Sequence, residues 1–286
     1  MSRAAQYSAG DTRRSGRAGW LRVVALAAML VATGVKSSAQ APPGEISTAP
    51  AQLDALSLAR KFVQDYFDKF SDLTCKESVT QLVLNNSGHS IYRENSAYDY
   101  QLISTSASDS LKFNETRETH NPAYRDPART LLVTTGFAGL LLIAHPLYEA
   151  SYVFEPAGTE AINGVSYALV RFVPVPGSSS PASLRLRGKN YALPMSGTLW
   201  INPQSGAIVK LVASVDSSLS DVGLSGLHSE VHYATHTFRD PAETVWIAES
   251  AVIDVETPRQ HWRNVHKFSD FKRFNVNVQE EIGKLP

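Results

Sequence analysis

Apolar residues recur at helical spacing over residues 50–71 of this chain and at strand spacing over most of the chain that follows. In the first segment they lie three or four positions apart, which places them on one face of a helix. The members of this stripe are Leu53, Leu56, Val63, Tyr66, Phe67 and Phe70. Polar and charged residues occupy the other side, so the pattern predicts an amphipathic helix that packs on a sheet.

Alternating apolar and polar residues, separated by turn-forming residues, predict antiparallel strands over most of the remaining chain. The clearest hairpin is the segment 197–215, in which Pro203 suits the second position of a turn and Gly206 supplies a positive φ. Further strands are expected over residues 79–84, 90–100, 109–118, 151–155, 165–173, 229–238, 244–256 and 261–276. Residues 174–183, rich in proline and serine, are expected to form a mobile surface loop.

Residues 131–148 interrupt the strand pattern and carry no acid, lysine or arginine. So apolar a segment predicts either a buried helix or an apolar lid, and Pro146 limits its extension. His145, Pro146 and Gly136 argue against a membrane span. We refer to residues 131–148 as the insert.

Together these elements predict an α+β fold. An incomplete antiparallel β-barrel, or half-barrel, of about ten strands would wrap around the N-terminal helix and the helical insert. A sandwich of two sheets is the alternative. Residues 51–286 contain no second linker and are expected to form a single domain, preceded by a flexible proline-rich leader over residues 40–50.

Residues 1–39 have the three parts of a secretory signal peptide. Arginines precede an uncharged core over residues 23–35, and small residues follow up to Ala39. We expect cleavage between Ala39 and Gln40 and release into the periplasm or outside the cell, with retention as an anchor left open. The removed piece carries six basic residues and one acid, so the mature chain is acidic and has no general attraction for nucleic acid.

Residue patterns with known chemistry are absent from the sequence. His228, His232 and His236 lie four apart in a predicted strand, which separates successive members by about 13 Å, too far to share a metal ion. Cys75 is the single cysteine and is expected to be a buried thiol. Without a nucleophile elbow, a phosphate-binding loop or a dinucleotide fingerprint, we predict no catalytic residue, no cofactor and no metal.

Several hairpin segments in the last third of the chain occur in a characteristic order: residues 197–206, Val231 with Tyr233, residues 245–250 and residues 264–274. This order resembles the LolA/LppX/RseB-like half-barrel group of exported bacterial proteins. The resemblance implies a non-enzymatic carrier or sensor that holds a lipid, an acyl chain or a lipidated protein in the concave face of its sheet. It carries over no catalytic residue, because the matching segments are structural hairpins.

The resemblance and the aromatic strands together suggest a ligand site. Its candidate residues are Phe137, Leu141, Leu142, Trp200, Tyr233 and Trp246. The three insert residues are expected to cover the concave side of the sheet and to face Trp200 or Tyr233. An exported hydrolase with dispersed catalytic residues and an envelope interaction module with a filled core are the alternatives. A transient membrane contact and the oligomeric state are left open.

Overall fold

The computed structural model describes residues 49–68, 73–107, 110–119, 137, 139–186, 189–215, 223–239 and 242–273. The predicted signal peptide, most of the leader and the end of the last predicted strand therefore lie outside the described residues. Helix α1 spans Ala49–Asp68, in agreement with its apolar stripe. Its buried positions are Gln52, Ala55, Leu56, Ala59, Val63 and Phe67.

Twelve strands follow in the described part of the chain. They are β1 (Leu73–Leu84), β2 (Ser90–Ala107), β3 (Ser110–Thr119), β4 (Tyr152–Ile162), β5 (Val165–Pro174), β6 (Ser183–Leu186), β7 (Lys189–Ala192), β8 (Ser196–Ile201), β9 (Ile208–Val215), β10 (Gly226–Arg239), β11 (Ala242–Glu256) and β12 (His261–Arg273). Strands β6 and β7 form a separate two-stranded hairpin.

The other ten strands form one antiparallel sheet in the order β3-β2-β1-β12-β11-β10-β9-β8-β5-β4. Strand β1 pairs with β12 from Leu73 opposite Arg273 to Leu84 opposite His261. Strands β3 and β4 lie at opposite ends of the order, so the sheet is not closed. The predicted α+β fold with an incomplete antiparallel barrel of about ten strands is confirmed. The alternative, a sandwich of two sheets, is wrong, because these ten strands form one continuous sheet.

The core contains residues from α1 and from alternate positions of the strands. In β8, Leu199 and Ile201 are fully buried, and their partners on β5 are Val170 and Ala168. These side chains belong to the same hydrophobic cluster as Ala59 and the other buried residues of α1. Leu56, Val63 and Phe67 of the predicted stripe are buried in this way, as the sequence pattern predicts. Leu53 is 46% exposed, and Phe70 lies outside the described residues.

The described part of the insert differs from a single buried helix. It forms two short 3-10 helices, Gly139–Ala144 and Pro146–Ser151. Pro146 separates them because it lacks an N–H, and His145 caps the second one by accepting a hydrogen bond at Nδ1 from the Leu147 N–H (3.1 Å). Leu140 to Ala144 are buried, so this segment is part of the core.

Strand β4 is longer than the sequence pattern predicts. It continues through Pro156 to Ile162, and its pairing with β5 shifts register between Pro156 and Thr159. Gly158 takes a φ of 99° at this bulge. The Gln52 side-chain amide of α1 donates a hydrogen bond to the Gly158 carbonyl (2.9 Å). A bulge breaks the two-residue period of a strand, which is why the predicted strand ended at residue 155.

Gly206 is the position at which the turn between β8 and β9 meets helix α1. Its φ is 76°, and a Cβ added there would lie 2.4 Å from the backbone carbonyl carbon and oxygen of Leu58. Only glycine combines this φ with so close an approach of two backbones. The turn thus fixes how closely the middle of α1 lies to the sheet.

We expect Gly206→Ala to lower the free energy of unfolding by about 2–4 kcal/mol, since it adds a steric clash to the strain of a positive φ. Gly164→Ala is the matched control, because Gly164 has a φ of 80° and open space around its Cβ direction. That control should lose only about 1–2 kcal/mol. Urea unfolding of both variants measures the difference. Equal losses would show that α1 does not press on this turn.

Candidate functional site

A cleft of about 680 Å³ lies between the second half of α1 and the end of the sheet where β10 turns into β11. Its lining residues are Leu58, Lys61, Phe62, Asp65, Tyr66, Leu73, Ser205, Ala207, Thr235, Glu243, Thr244, Val245, Trp246, Ile247 and Arg273. Helix α1 contributes residues one turn apart, so one side of the helix forms one wall. Strands β10 and β11 form most of the opposite wall.

Trp246 connects the two walls of this cleft. Its indole N–H donates a hydrogen bond to the backbone carbonyl of Ile208 (2.7 Å), which fixes the ring orientation. The Phe62 ring of α1 packs edge-on against it, with 6.4 Å between the ring centroids. The two rings present apolar surface to the cleft, and the indole N–H of Trp246 already has its hydrogen-bond acceptor.

A smaller cavity of about 30 Å³ lies next to the cleft. Tyr66, Leu73 and Ile247 line both, so the cavity is adjacent to the inner end of the cleft. The other residues of its lining are Cys75, Tyr100, Leu102, Phe137, Ala248, Phe268 and Phe271. Burial raises the pKa of the Cys75 thiol to about 12, which keeps it uncharged and unreactive.

A buried ionic cluster lies behind Phe137. The Arg117 guanidinium forms a two-pronged ion pair with Glu77, and its Nη2 lies 2.8 Å from Glu77 Oε1. The Nδ1 of His266 lies 2.8 Å from the same oxygen. The side chains of Glu77 and His266 are 0% and 2% exposed. The Phe137 ring packs on the His266 ring with 4.7 Å between centroids.

The protonation states of the ionic cluster follow from its burial and its bonds. Burial alone would raise the pKa of Glu77, but the hydrogen bonds from Arg117 and His266 outweigh it, and this pKa lies below its usual value. Burial lowers the pKa of His266 and the Arg117 charge lowers it further, against the opposing effect of Glu77. His266 is therefore neutral at pH 7 and donates its Nδ1 proton to the Glu77 carboxylate.

The structure brings together some of the candidate residues named from the sequence. The Tyr233 hydroxyl donates a hydrogen bond to the Phe137 carbonyl (2.9 Å), so this pair meets as expected. Phe137 lines the inner cavity and Trp246 lines the cleft. Leu141 and Leu142 are 1% and 4% exposed and belong to the core cluster; neither lines the cleft or the inner cavity.

Trp200 lies apart from the other candidates. Its neighbours Leu199 and Ile201 point into the core, so Trp200 points to the opposite face of β8. There its indole N–H donates to a carboxylate oxygen of Glu160 (2.9 Å), and the Lys210 ammonium lies 4.6 Å from the ring centroid. Of the two residues that the insert was expected to face, Tyr233 contacts it through Phe137, and Trp200 does not lie on that side of the sheet.

Sequence reasoning missed part of the cleft lining. Phe62 lies outside the stripe that predicted α1, and Val245 and Ile247 were noted only as part of the segment 245–250 that carries the resemblance. Tyr66 is part of that stripe and lines both cavities. Aromatic residues on two adjoining sides of a helix indicate a second apolar surface besides the side that packs on the sheet. In α1 this second surface lines the cleft.

We expect Leu141→Asp to lower the free energy of unfolding by at least about 3 kcal/mol, because it removes buried apolar atoms and buries a carboxylate. Leu147→Asp is the matched control in the second 3-10 helix, where Leu147 is 56% exposed. The control should change stability by less than about 0.5 kcal/mol. Urea unfolding measures both variants. If Leu141→Asp is as stable as the wild type, the insert is exposed to solvent.

Stability should fall as the pH is lowered from 7 to 5. His266 and His145 both have pKa values lowered mainly by burial, so the unfolded chain binds protons near pH 6.5 before the folded chain does. The lowered pKa of Glu77 affects stability only below the ordinary pKa of a glutamate, which lies below pH 5. Denaturant titrations at several pH values give the free energy of unfolding as a function of pH. This free energy should change less with pH for His266→Asn than for the wild type. An unchanged pH dependence would show that His266 is not held neutral.

Comparison with known proteins gives a weak structural likeness. No protein-family model and no curated protein matches the chain. Among solved structures, a DUF1329 family protein from Desulfovibrio piger ATCC 29098 matches with a TM-score of 0.40 and 12% identity, covering 81% of this chain and 96% of that chain. A putative outer membrane lipoprotein-sorting protein domain from Vibrio parahaemolyticus matches with a TM-score of 0.40 and 12% identity, covering 80% and 95%.

The name of the second structure is that of a lipoprotein-sorting domain, the kind of protein that the sequence resembles. At a TM-score of 0.40 neither likeness carries an argument about this chain. Among the described residues, no helix has the length and apolar character needed to span a membrane.

Proposed function

We propose that this chain is an exported, non-enzymatic carrier or sensor that binds an apolar ligand, namely a lipid, an acyl chain or a lipidated protein. The cleft between α1 and the end of the sheet is the binding site in this proposal. The observation that carries it is the size and lining of this cleft. Its volume of about 680 Å³ is typical of small-molecule sites, which span about 300–1,000 Å³.

The lining of the cleft suits an apolar ligand with a polar end. Phe62, Tyr66 and Trp246 supply aromatic surface in its interior. Lys61 and Asp65 are exposed on the helix side, and Arg273 forms an ion pair with Glu243 on the sheet side. Two cations and two anions leave the lining without net charge, which favours an uncharged or zwitterionic polar end.

In this proposal the ligand does not lie along the insert, where Phe137, Leu141 and Leu142 were expected to form part of the site. The buried part of the insert fills the core, and of its described residues only Phe137 lines the inner cavity. Trp246 is the sequence candidate that lines the cleft itself. The ligand would therefore lie mainly against α1 and β11, with its apolar end directed towards Phe137.

The hydrolase alternative has one observation in its favour. A histidine oriented by a carboxylate, as His266 is by Glu77, is a common part of hydrolytic sites. Both side chains are buried, however, and Arg117 already engages both carboxylate oxygens. The imidazole is 2% exposed and Phe137 packs on its ring, so the apolar carrier or sensor is favoured.

We expect Leu58→Glu to weaken binding of the uncharged fluorescent probe N-phenyl-1-naphthylamine by about tenfold or more. Leu58 lines the cleft, and the loss of one large apolar contact is worth about 1.5–3 kcal/mol. Fluorescence titration of purified mature protein measures the dissociation constant.

Leu53→Glu is the matched control for this experiment. Leu53 lies on the same helix and is 46% exposed, against 40% for Leu58, but it does not line the cleft. The control should bind the probe like the wild type, and both variants should keep the wild-type melting temperature. A wild type that binds no probe, or equal weakening in both variants, would contradict the proposed site. Native mass spectrometry of protein taken from its own envelope would then identify the natural ligand class.

A further inference from the structure

We infer that the ionic cluster of Arg117, Glu77 and His266 makes ligand binding in the cleft pH-dependent, because proton uptake by His266 loosens the inner wall and weakens binding. This inference rests on the proposed function. It assigns the cluster a regulatory role in the same site.

The inner cavity and the ionic cluster share a wall. Phe137 lines the cavity on one side and packs on the His266 ring on the other. Tyr100 also lines the cavity, and the Arg117 guanidinium lies 5.1 Å from its ring centroid. Cys75, a third lining residue, lies two positions before Glu77 on β1 and so on the same face of the strand. A displacement within the cluster therefore reaches the cavity directly.

The charges around His266 decide the effect of a proton. The titratable and charged groups on the elements packed there are Glu77 and Cys75 on β1, Tyr100 on β2, and Arg117 and Glu115 on β3. Phe137 of the insert and the β11 partner of His266, Ala251, contribute no charge. Burial keeps Cys75 and Tyr100 uncharged, and Glu115 bonds to Tyr100. Among the described residues, the charges that shift the pKa of His266 are those of Glu77 and Arg117, while the Glu115 carboxylate acts on Arg117 and Tyr100.

Protonation of His266 places a second cation at a carboxylate whose two oxygens Arg117 already engages. The His266 side chain is 2% exposed, so burial opposes the new charge, and movement of the imidazole towards water relieves the cost. Phe137 packs on that imidazole and is tied to Tyr233 through its carbonyl, so movement of the ring disturbs the wall at Phe137. A ligand that stabilises the intact wall at Phe137 opposes proton uptake by His266. By thermodynamic linkage, acidification then lowers the affinity for the ligand.

The test measures the affinity of N-phenyl-1-naphthylamine for the mature protein at pH 7.5 and pH 5.5. The probe does not titrate in this range, so any change belongs to the protein. We expect the wild-type dissociation constant to rise about fivefold or more at pH 5.5. His266→Asn should bind equally at both pH values, because the amide keeps a donor for Glu77 and takes up no proton. Near-ultraviolet circular dichroism at both pH values confirms that each protein stays folded.

His145→Asn is the matched control. His145 is the other buried histidine in the described part of the chain. Its ring lies 5.9 Å from that of Phe67, and it lines neither the cleft nor the inner cavity. This variant should keep the wild-type pH dependence. If the wild type binds equally at both pH values, or if His266→Asn keeps the wild-type dependence, the inference is overturned while the proposed function stands. A wild type that binds no probe at pH 7.5 overturns both.

A second measurement does not depend on the folding of any variant. The ring carbons of His266 are followed by NMR through a pH titration of the wild type, with and without saturating probe. We expect the probe to lower the pH at which His266 titrates. Two coinciding titration curves would overturn the inference.

Discussion

The pairing of β1 with β12 is the interaction on which the rest of the structure depends. Without it the sheet would fall into two parts, β1–β3 on one side and β4, β5 and β8–β12 on the other. The same pairing brings Glu77 to within 2.8 Å of His266, although 189 residues separate them. It also builds the surface on which Phe137 packs. One long-range ladder thus holds together both the sheet and the ionic cluster.

Local signals in the sequence predicted the local features of the fold. The apolar stripe identified α1, and the Pro203 and Gly206 turn identified the hairpin of β8 and β9, with Gly206 at a positive φ as expected. The errors occurred where tertiary contacts override a local pattern. Strand β4 continues through a bulge that Gln52 of the distant helix supports. At Pro146, by contrast, the local signal was sufficient, because the first 3-10 helix of the insert ends before this proline and the second begins at it.

The candidate site was less predictable because it depends on which face of a strand a residue occupies. Trp200 and Trp246 look alike in sequence, yet Trp200 bonds to Glu160 on the outer face while Trp246 lines the cleft. The pairing of distant strands decides between these faces, and no local signal reports it. The ionic cluster was missed for the same reason, since Glu77 and His266 each look like ordinary polar strand residues until their strands are paired.

The bulge in β4 also bears on how the protein behaves among other copies of itself. Strand β4 is the terminal strand of the sheet order, and an outermost strand can recruit a strand from another molecule. Pro156 removes one donor from β4, and the bulge that follows breaks its regular hydrogen-bonding pattern. Gln52 occupies the backbone carbonyl of Gly158. The same irregularity that hid the strand in the sequence therefore protects this edge of the sheet from pairing with another copy of the chain.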